Sequence, residues 1–509
     1  MPIIAVENSV PYDESRVWAL QDAYFDRRGL DAWSEGDIPF GATSNAIIAR
    51  QHVAYLARML PPDAHVVVLE IGSGNGAFAK YFLTALGGRG ARGLGKRLTY
   101  VMTDVWAQNL KRIIEEPLFA HYVNNGMLVA ATYDVREPDR IVGLDGKALD
   151  LRPTVVIANY LACVTPTKVL HKSPLGWLER NACLSYESAE PIDADGAWKK
   201  LCEEAGRKDG GQRLETSWRA CDPVDVLGPA LGQAVIDVLA GIAEGTVAVP
   251  FKFLTLIEQL VVKWGAHALI TDFGRPDVEE MRGPGAHDPV MYGGCMSHAL
   301  DFPLFDHWGH HTKIDVLRTF DPLRMVHVVA LRPMIDDQEP FVKAFRAVYG
   351  NRDMEALFDL LASAREAYEA KDWTRAARLA SQGLKYDPLA VELYHRFGTA
   401  LTSAGYPTYA VHSLRKGRRI QGPDGPFDFD LALGRAYMEA GDFPRAQRAY
   451  SASLRREPSA VGLIDQARLY HRMGRRADMQ KAIDRAEATA PGDAYVAAWT
   501  AFLEDTKSP

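Results

Sequence analysis

Seven consecutive residues carry the sharpest chemical signal in the chain: Glu70-Ile71-Gly72-Ser73-Gly74-Asn75-Gly76. They follow a continuous apolar run that begins at Val66 and precede a helical stretch that begins near Ala77. Glycines at alternate positions permit a tight turn and let a ligand approach the backbone closely. Glu70 stands on the strand itself, where a carboxylate can reach an amino-acid-like ammonium. No Lys-Ser or Lys-Thr follows, so the turn is not a phosphate-cradling P-loop. A dinucleotide site uses a similar turn, but the acids on the next strands shift the balance away from it. Asp104 closes the second strand and is placed to accept from two ribose hydroxyls. Asp134 closes the third and is placed to accept from an adenine amino group. Asn159 closes the fourth and faces the same crevice at the carboxyl ends of the strands. Each acid alone reads equally well as an ordinary strand-end cap. The series, together with the glycines, reads as a cofactor site.

For catalysis the candidates by residue type are Asn159, Tyr160, His171 and Lys172, at or just after the fourth strand. A Tyr or His there could take a proton from an oxygen or nitrogen nucleophile. The plainer alternative is that Tyr160 packs and that His171 and Lys172 are solvated loop residues. His298, His307, His310 and His311, with Asp301 and Asp306 nearby, do not match a zinc spacing. They are expected to line substrate or to make hydrogen bonds, and no metal is expected. The Arg/Gly stretch at 87–97 is expected to be a surface loop between helix and strand.

These residues need a scaffold, and the apolar pattern supplies one. Strands are expected at 66–72, up to Asp104, up to Asp134, up to Tyr160, at 268–274 and at 325–333, alternating with helices. Residues 43–60 follow a helical period that ends at Pro61-Pro62. The pattern implies an open α/β fold with a mostly parallel sheet. Residues 187–250, with a helix near 231–244, interrupt it as an insertion over the cleft, and 275–311 reads as a long ordered loop. From about residue 357 a period takes over. Ala376, Ala410, Ala446 and Met479 open helices at steps of 34, 36 and 33 residues. A turn and an aromatic precede the first three: Asp372-Trp373, Gly405-Tyr406 and Asp442-Phe443. Breaks follow at Pro388, Gly422, Pro458 and Pro491. Gly398 and Gly434 fall where a side chain would hold paired helices apart. This pattern resembles the tetratricopeptide repeat, which implies an all-α solenoid of four repeats with a capping helix over 494–505. The chain therefore divides into residues 1–350, with an N-terminal helical segment and the insertion, and residues 357–509.

The acid series resembles that of class I S-adenosylmethionine-dependent methyltransferases, whose Rossmann-like domain binds this cofactor. Within that class the chain is similar to the MidA family, relatives of the mitochondrial complex I assembly methyltransferase that modifies an arginine side chain. The likeness covers roughly residues 20–335. It rests on Gly36-Asp37-Ile38, on Ile157-Ala158-Asn159-Tyr160 followed by Thr165-Pro166, on Gly176-Trp177-Leu178-Glu179-Arg180 and on Asp272-Phe273-Gly274. It implies cofactor binding by Gly36, Asp37, Glu70, Gly72, Gly74, Gly76, Asp104, Asp134 and Asn159. The chain departs from the family at its acids. Tyr160 and Cys163 stand where the family has carboxylates after the Asn, and Phe40 and Thr43 stand in place of its Thr and Glu. A carboxylate there would hold a guanidinium, so arginine methylation is put in doubt.

Composition excludes several classes. Hydrophobic residues at 47% and charged residues at 24% describe a folded chain, not a disordered one. The net charge of −7 argues against a nucleic-acid coat. Its parts differ: 22 basic and 19 acidic residues over 357–509, against 36 and 46 elsewhere. No signal or transmembrane pattern is seen and five scattered cysteines suggest a reducing compartment, so a cytoplasmic, membrane-free protein is expected. The leading expectation is a methyltransferase acting on a protein or peptide held in the repeat groove. The alternatives are a non-catalytic assembly scaffold and a small-molecule methyltransferase whose repeats serve a homodimer.

Overall fold

The computed structural model describes residues 2–34, 38–207, 210–283, 287–321, 324, 326–350, 353–422 and 425–505. The chain forms two compact units, Met1–Arg352 and Asp353–Pro509.

The first unit is mixed α/β. Its strands are β1 (Ile3–Pro11), β2 (Val66–Ile71), β3 (Leu98–Asp104), β4 (Leu128–Tyr133), β5 (Ile141–Gly143), β6 (Val155–Asn159) and β7 (Lys168–Ser173). They continue as β8 (Gly176–Glu187), β9 (Gln212–Ala220), β10 (Gly245–Val249), β11 (His267–Asp272), β12 (Ile314–Arg318) and β13 (His327–Pro333). The larger sheet runs β12-β13-β11-β6-β2-β3-β4-β5. Its five central strands, β11 to β4, are parallel, and the edge pairings are antiparallel. The central strands are buried on both faces, as their unbroken apolar runs require.

Chain order fixes where a ligand can enter. From β2 the chain steps outward to β3 and β4, then returns to place β6 on the other side of β2. The strand order therefore reverses between β2 and β6, and a crevice opens at their carboxyl ends. Register fixes which side chains share a face. Glu70 pairs with Met102 and Ile157, and Asn159 pairs with Thr271. By the two-residue period, Glu70, Asp104 and Asn159 stand on one face.

The helices around the crevice are short, and of the four only the second has a side-chain N-cap. In α1 (Val17–Arg28) the residues Trp18, Gln21 and Phe25 share one side. In α2 (Ala46–Met59) the Asn45 side chain accepts from the backbone N–H groups of Ile47 and Ile48 at 3.0 and 3.1 Å. α3 (Ala77–Ala85) follows the glycine turn directly, and α4 (Ala107–Ile114) follows β3.

One expectation is refined and one corrected here. Residues 187–250 interrupt the main sheet, as expected. They supply β9 and β10 to a second, antiparallel sheet, β1-β8-β7-β10 with β9 on β8, to which the N-terminal strand also belongs. The helix expected at 231–244 is α5 (Pro229–Val238). Residues 275–311 are not all loop, because α6 (Phe302–Thr312) occupies the end of that stretch. Its Pro303 fits the first turn, where no N–H is needed.

The first unit closes with α7 (Glu339–Tyr349). The second unit is helical: α8 (Asp353–Glu369), α9 (Trp373–Tyr386), α10 (Val391–Ser403), α11 (Pro407–Gln421), α12 (Phe429–Glu439), α13 (Phe443–Arg456), α14 (Ala460–Arg472), α15 (Arg476–Thr489) and α16 (Ala494–Asp505). Asp372, Asp428, Asp442 and Ser459 cap helices through their side chains. A Cβ on Gly398 would lie 2.4 Å from Leu414, and one on Gly434 2.4 Å from Tyr450. The two glycines thus set the approach of α10 to α11 and of α12 to α13. Among the described residues no helix is long and apolar enough to cross a membrane.

Candidate cofactor cleft

The glycine turn is built by backbone sterics. Gly72, Gly74 and Gly76 have φ of 71°, 56° and 74°, a region that side chains disfavour. Added Cβ atoms would meet Leu161 at 2.9 Å, Trp33 at 3.0 Å and Ile113 at 2.7 Å respectively. The turn is tied to the next strand twice. The Ser73 N–H donates to the Thr103 carbonyl at 2.8 Å, and the Gly74 N–H donates to Asp104 Oδ2 at 2.8 Å. Asp104 Oδ1 accepts from the Trp106 N–H at 3.3 Å. Asp104 is buried, and burial pushes its carboxyl up to about 6 against the pull of these backbone donors.

Glu70 lies deeper. Burial pushes its carboxyl up to about 8, with the Tyr100 hydroxyl lowering it and the charge of Asp104 raising it further. Among the described residues its Oε2 has no hydrogen-bond partner, and neither amide atom of Asn159 has one. Buried polar atoms left without partners are costly. These three sit at the ends of the two strands that flank the reversal, although neither Glu70 nor Asn159 is among the residues that line the cleft.

Tyr160, the residue after β6, has φ 51° and is buried. Its N–H donates to the Thr271 carbonyl at 2.9 Å, and its ring meets Phe273 edge-on at 5.7 Å. Burial pushes its phenol well above the usual value. Beneath it Asp272 accepts from the backbone N–H groups of Cys163 and Phe273. Burial pushes Asp272 up to about 6.

Asp134 stands at the end of β4 as expected, but its carboxylate is already engaged. It borders the cleft, and its carboxylate is taken by Arg136, through the backbone N–H at 2.8 Å and the guanidinium at 2.8 to 3.0 Å. Burial opposes its charge, and Arg136 overrides this to hold Asp134 below its usual range. The same guanidinium reaches Asp22 on α1 at 2.6 Å. An Asp134 carboxylate so engaged has little left for an adenine amino group.

His171 is a correction. It lies on β7 in the second sheet, where its Nδ1 pairs with the Thr246 hydroxyl at 2.9 Å and its Nε2 faces Glu244 at 3.5 Å. It does not line the cleft, because β7 carries the chain away from the main sheet after Pro166. Gly36 and Asp37 lie outside the described residues. The histidines are also scattered. His298 is buried against Tyr12, while His311 pairs with Asp237. Among the described residues no group of three or more His, Cys, Asp or Glu is arranged to hold a metal.

The aromatic wall was not foreseen. Trp18 and Phe25 of α1, Trp33 and Trp106 line the cleft, with Trp33 directly against Gly74. Phe25 stacks on Trp33 at 5.6 Å and packs on Trp106 at 5.3 Å. The signal was present in the helical spacing of Trp18, Gln21 and Phe25, which puts all three on one side.

No family model matches the chain, and no curated protein does. Solved structures show a distant likeness. A "COG1565 superfamily member and likely methyl transferase" from Burkholderia thailandensis, bound to S-adenosyl-homocysteine, is 17% identical with a TM-score of 0.42. The match covers 66% of this chain and 90% of that one. An uncharacterized COG1565 superfamily protein from the same organism is 16% identical with a TM-score of 0.40, over 65% and 88%. A thermophilic TPR protein of Thermus thermophilus is 20% identical with a TM-score of 0.26, over 32% and 87%. At such scores the likeness carries no weight of its own, and the function must be read from the cleft.

Proposed function

We propose that the chain is an S-adenosylmethionine-dependent methyltransferase of the MidA-like kind. In this reading residues 1–350 are a Rossmann-like class I domain and residues 357–509 a solenoid of tetratricopeptide repeats. The repeats recruit a protein or peptide whose side chain is methylated. One observation carries the reading: an acid at the end of β3 holds the glycine turn after β2, beside buried Glu70 and Asn159 atoms that lack partners. A ligand with an ammonium, a carboxylate and ribose hydroxyls offers partners to these groups.

Glu70, the N–H groups around Gly72, Gly74 and Gly76, Asp104 and Asn159 would hold the cofactor, with Gly36 and Asp37 assigned by resemblance alone. Asp134 would contribute through whatever Arg136 leaves free. The cofactor supplies an electrophilic methyl group on a sulfonium. Tyr160 keeps its proton at neutral pH, so it orients an acceptor by hydrogen bonding and does not deprotonate it. No carboxylate stands at 160 or 163, which favours a neutral acceptor over a guanidinium. The test is transfer of labelled methyl to proteins of a cell extract by the full chain. A labelled protein band is expected, and its loss in Asp104→Ala. Cofactor binding without any labelled protein or peptide would favour the scaffold, and label in a small metabolite alone would favour the small-molecule reading.

Glu70 makes a further outcome measurable. With a carboxyl near 8, roughly nine-tenths of the sites are protonated at pH 7 before binding. An ammonium docking on Glu70 favours the charged form, so binding releases close to one proton. Calorimetric binding enthalpies of S-adenosylhomocysteine at pH 7 should therefore differ between phosphate and Tris. The difference should shrink above pH 8 and vanish in Glu70→Gln. Identical enthalpies in both buffers would remove Glu70 from the site.

A further inference from the structure

The second unit carries a charged trough that the cofactor chemistry leaves unused. It runs between α11 and α13 over α12. Arg415 and Arg418 form one bank, and Arg445 and Arg448 the other, all four exposed. Leu433 and Tyr437 of α12 give the floor an apolar strip. Among the described residues one carboxylate lines the trough, Asp430, which pairs with Arg418 at 3.1 Å. Arg445 is tied to Asp442 at 2.9 Å. Arg415 and Arg448 have no acidic partner among the described residues. Two forks, one on each bank, are thus left uncompensated.

We infer that this trough holds an extended acidic segment of a partner protein, with carboxylates at alternate positions. The inference deepens the recruitment reading and rests on it. The spacing supports it. Arginines three apart on a helix stand about 5–6 Å apart at Cβ. Alternate side chains of an extended strand, on one side, repeat at about 6.6 Å. A strand with acids at every second residue therefore meets a bank in register, one acid on the open fork of Arg415 or Arg448 and the next on Arg418 or Arg445, each shared with its Asp. The residue type supports it as well: every cation in the trough is arginine, whose planar fork matches a carboxylate bidentately, as lysine does not. Single-stranded nucleic acid fits less well. It needs aromatic platforms for its bases, and the one aromatic here, Tyr437, lies under the Arg445 guanidinium at 6.0 Å.

The test is fluorescence anisotropy of a short fluorescein-labelled peptide alternating glutamate and serine, titrated with the full chain. Saturable binding is expected, weakening as salt is raised through physiological strength. Arg415→Glu combined with Arg448→Glu should weaken it at least about tenfold. Arg415→Lys with Arg448→Lys should fall between, because charge is kept and the fork is lost. The exposed variants should keep the wild-type circular dichroism and bind S-adenosylhomocysteine as wild type does. That control separates the trough from the cofactor cleft: loss of cofactor binding in wild type would strike the methyltransferase reading and leave the peptide result standing. A glutamate peptide that does not bind at low salt, or binds the charge-reversed chain equally well, overturns the inference. So does an oligothymidylate that binds more tightly than the peptide.

Discussion

Asp104→Ala lowers the affinity for S-adenosylhomocysteine by at least about a hundredfold, or ~3 kcal/mol. Two losses add. The wild-type carboxylate has lone pairs beyond those used by the Gly74 and Trp106 N–H groups. In the proposed site these accept from ribose hydroxyls, and hydrogen bonds to a charged group are each worth about 1.5–3 kcal/mol. The same substitution frees the Gly74 N–H, so the turn loses one of the two bonds that tie it to β3. Asp104→Asn should lose less, because it keeps the shape and one acceptor oxygen. The wild type should show the same weakness in acid. With its carboxyl near 6, Asp104 is ionised at pH 7 and neutral below about pH 5, so affinity should fall as pH drops through 6. Calorimetry across pH 5 to 8 reads both effects. An Asp104→Ala chain that folds and binds as tightly as wild type removes this residue from cofactor recognition.

Lys168→Met destabilises the first unit by about 3–5 kcal/mol. The ammonium donates to Asp13 at 2.9 Å and to Glu179 at 3.0 Å, and the three side chains are 8%, 5% and 2% exposed. Burial alone would lower the basicity of the lysine, but the two carboxylates outweigh it and raise it. Removing the cation leaves two buried carboxylates, with only exposed Arg219 at Glu179 in support. The group's raised basicity sets the sign with pH. Its stabilisation is complete below the unfolded lysine value near 10.5 and is lost as pH rises beyond it. The difference between wild type and variant should therefore be large at pH 7 and shrink in strong alkali. Urea unfolding followed by circular dichroism checks this. A change under about 1 kcal/mol would mean that water already reaches the three charges.

The network around Lys168 also marks where the sequence stops being legible. The parallel strands were readable because burial on both faces demands unbroken apolar runs, such as Val66–Ile71. The second sheet was not. β8 runs Glu179-Arg180-Asn181 through its buried middle. Charges in a strand interior read as a loop unless their partners are known, and Asp13 lies 155 residues from Lys168. The Pro, Gly and His content of α6 hid a helix for a related reason. Gly309 is there to admit Val316, since a Cβ would lie 2.3 Å from it, and sequence spacing does not record that contact. Within the cleft the positions of Gly72, Gly74 and Asp104 were legible, because topology alone brings the strand ends together. Arg136 was not, because its capture of Asp134 and Asp22 depends on how α1 crosses the strand ends. His171 was misread for want of the turn at Pro166.

The cleft is fastened in two different ways. Its floor, the glycine turn after β2, is tied to β3 by buried bonds that added salt barely reaches. Its wall, α1, is joined to the end of β4 through Asp22 and Arg136, side chains 41% and 39% exposed. Such a pair contributes little more than about 1 kcal/mol and fades with ionic strength. The crevice is thus a rigid seat with an ionic clasp on one side. Added salt would loosen the clasp and leave the seat unchanged, so ligand exchange rates should respond to the medium more than equilibrium shape does.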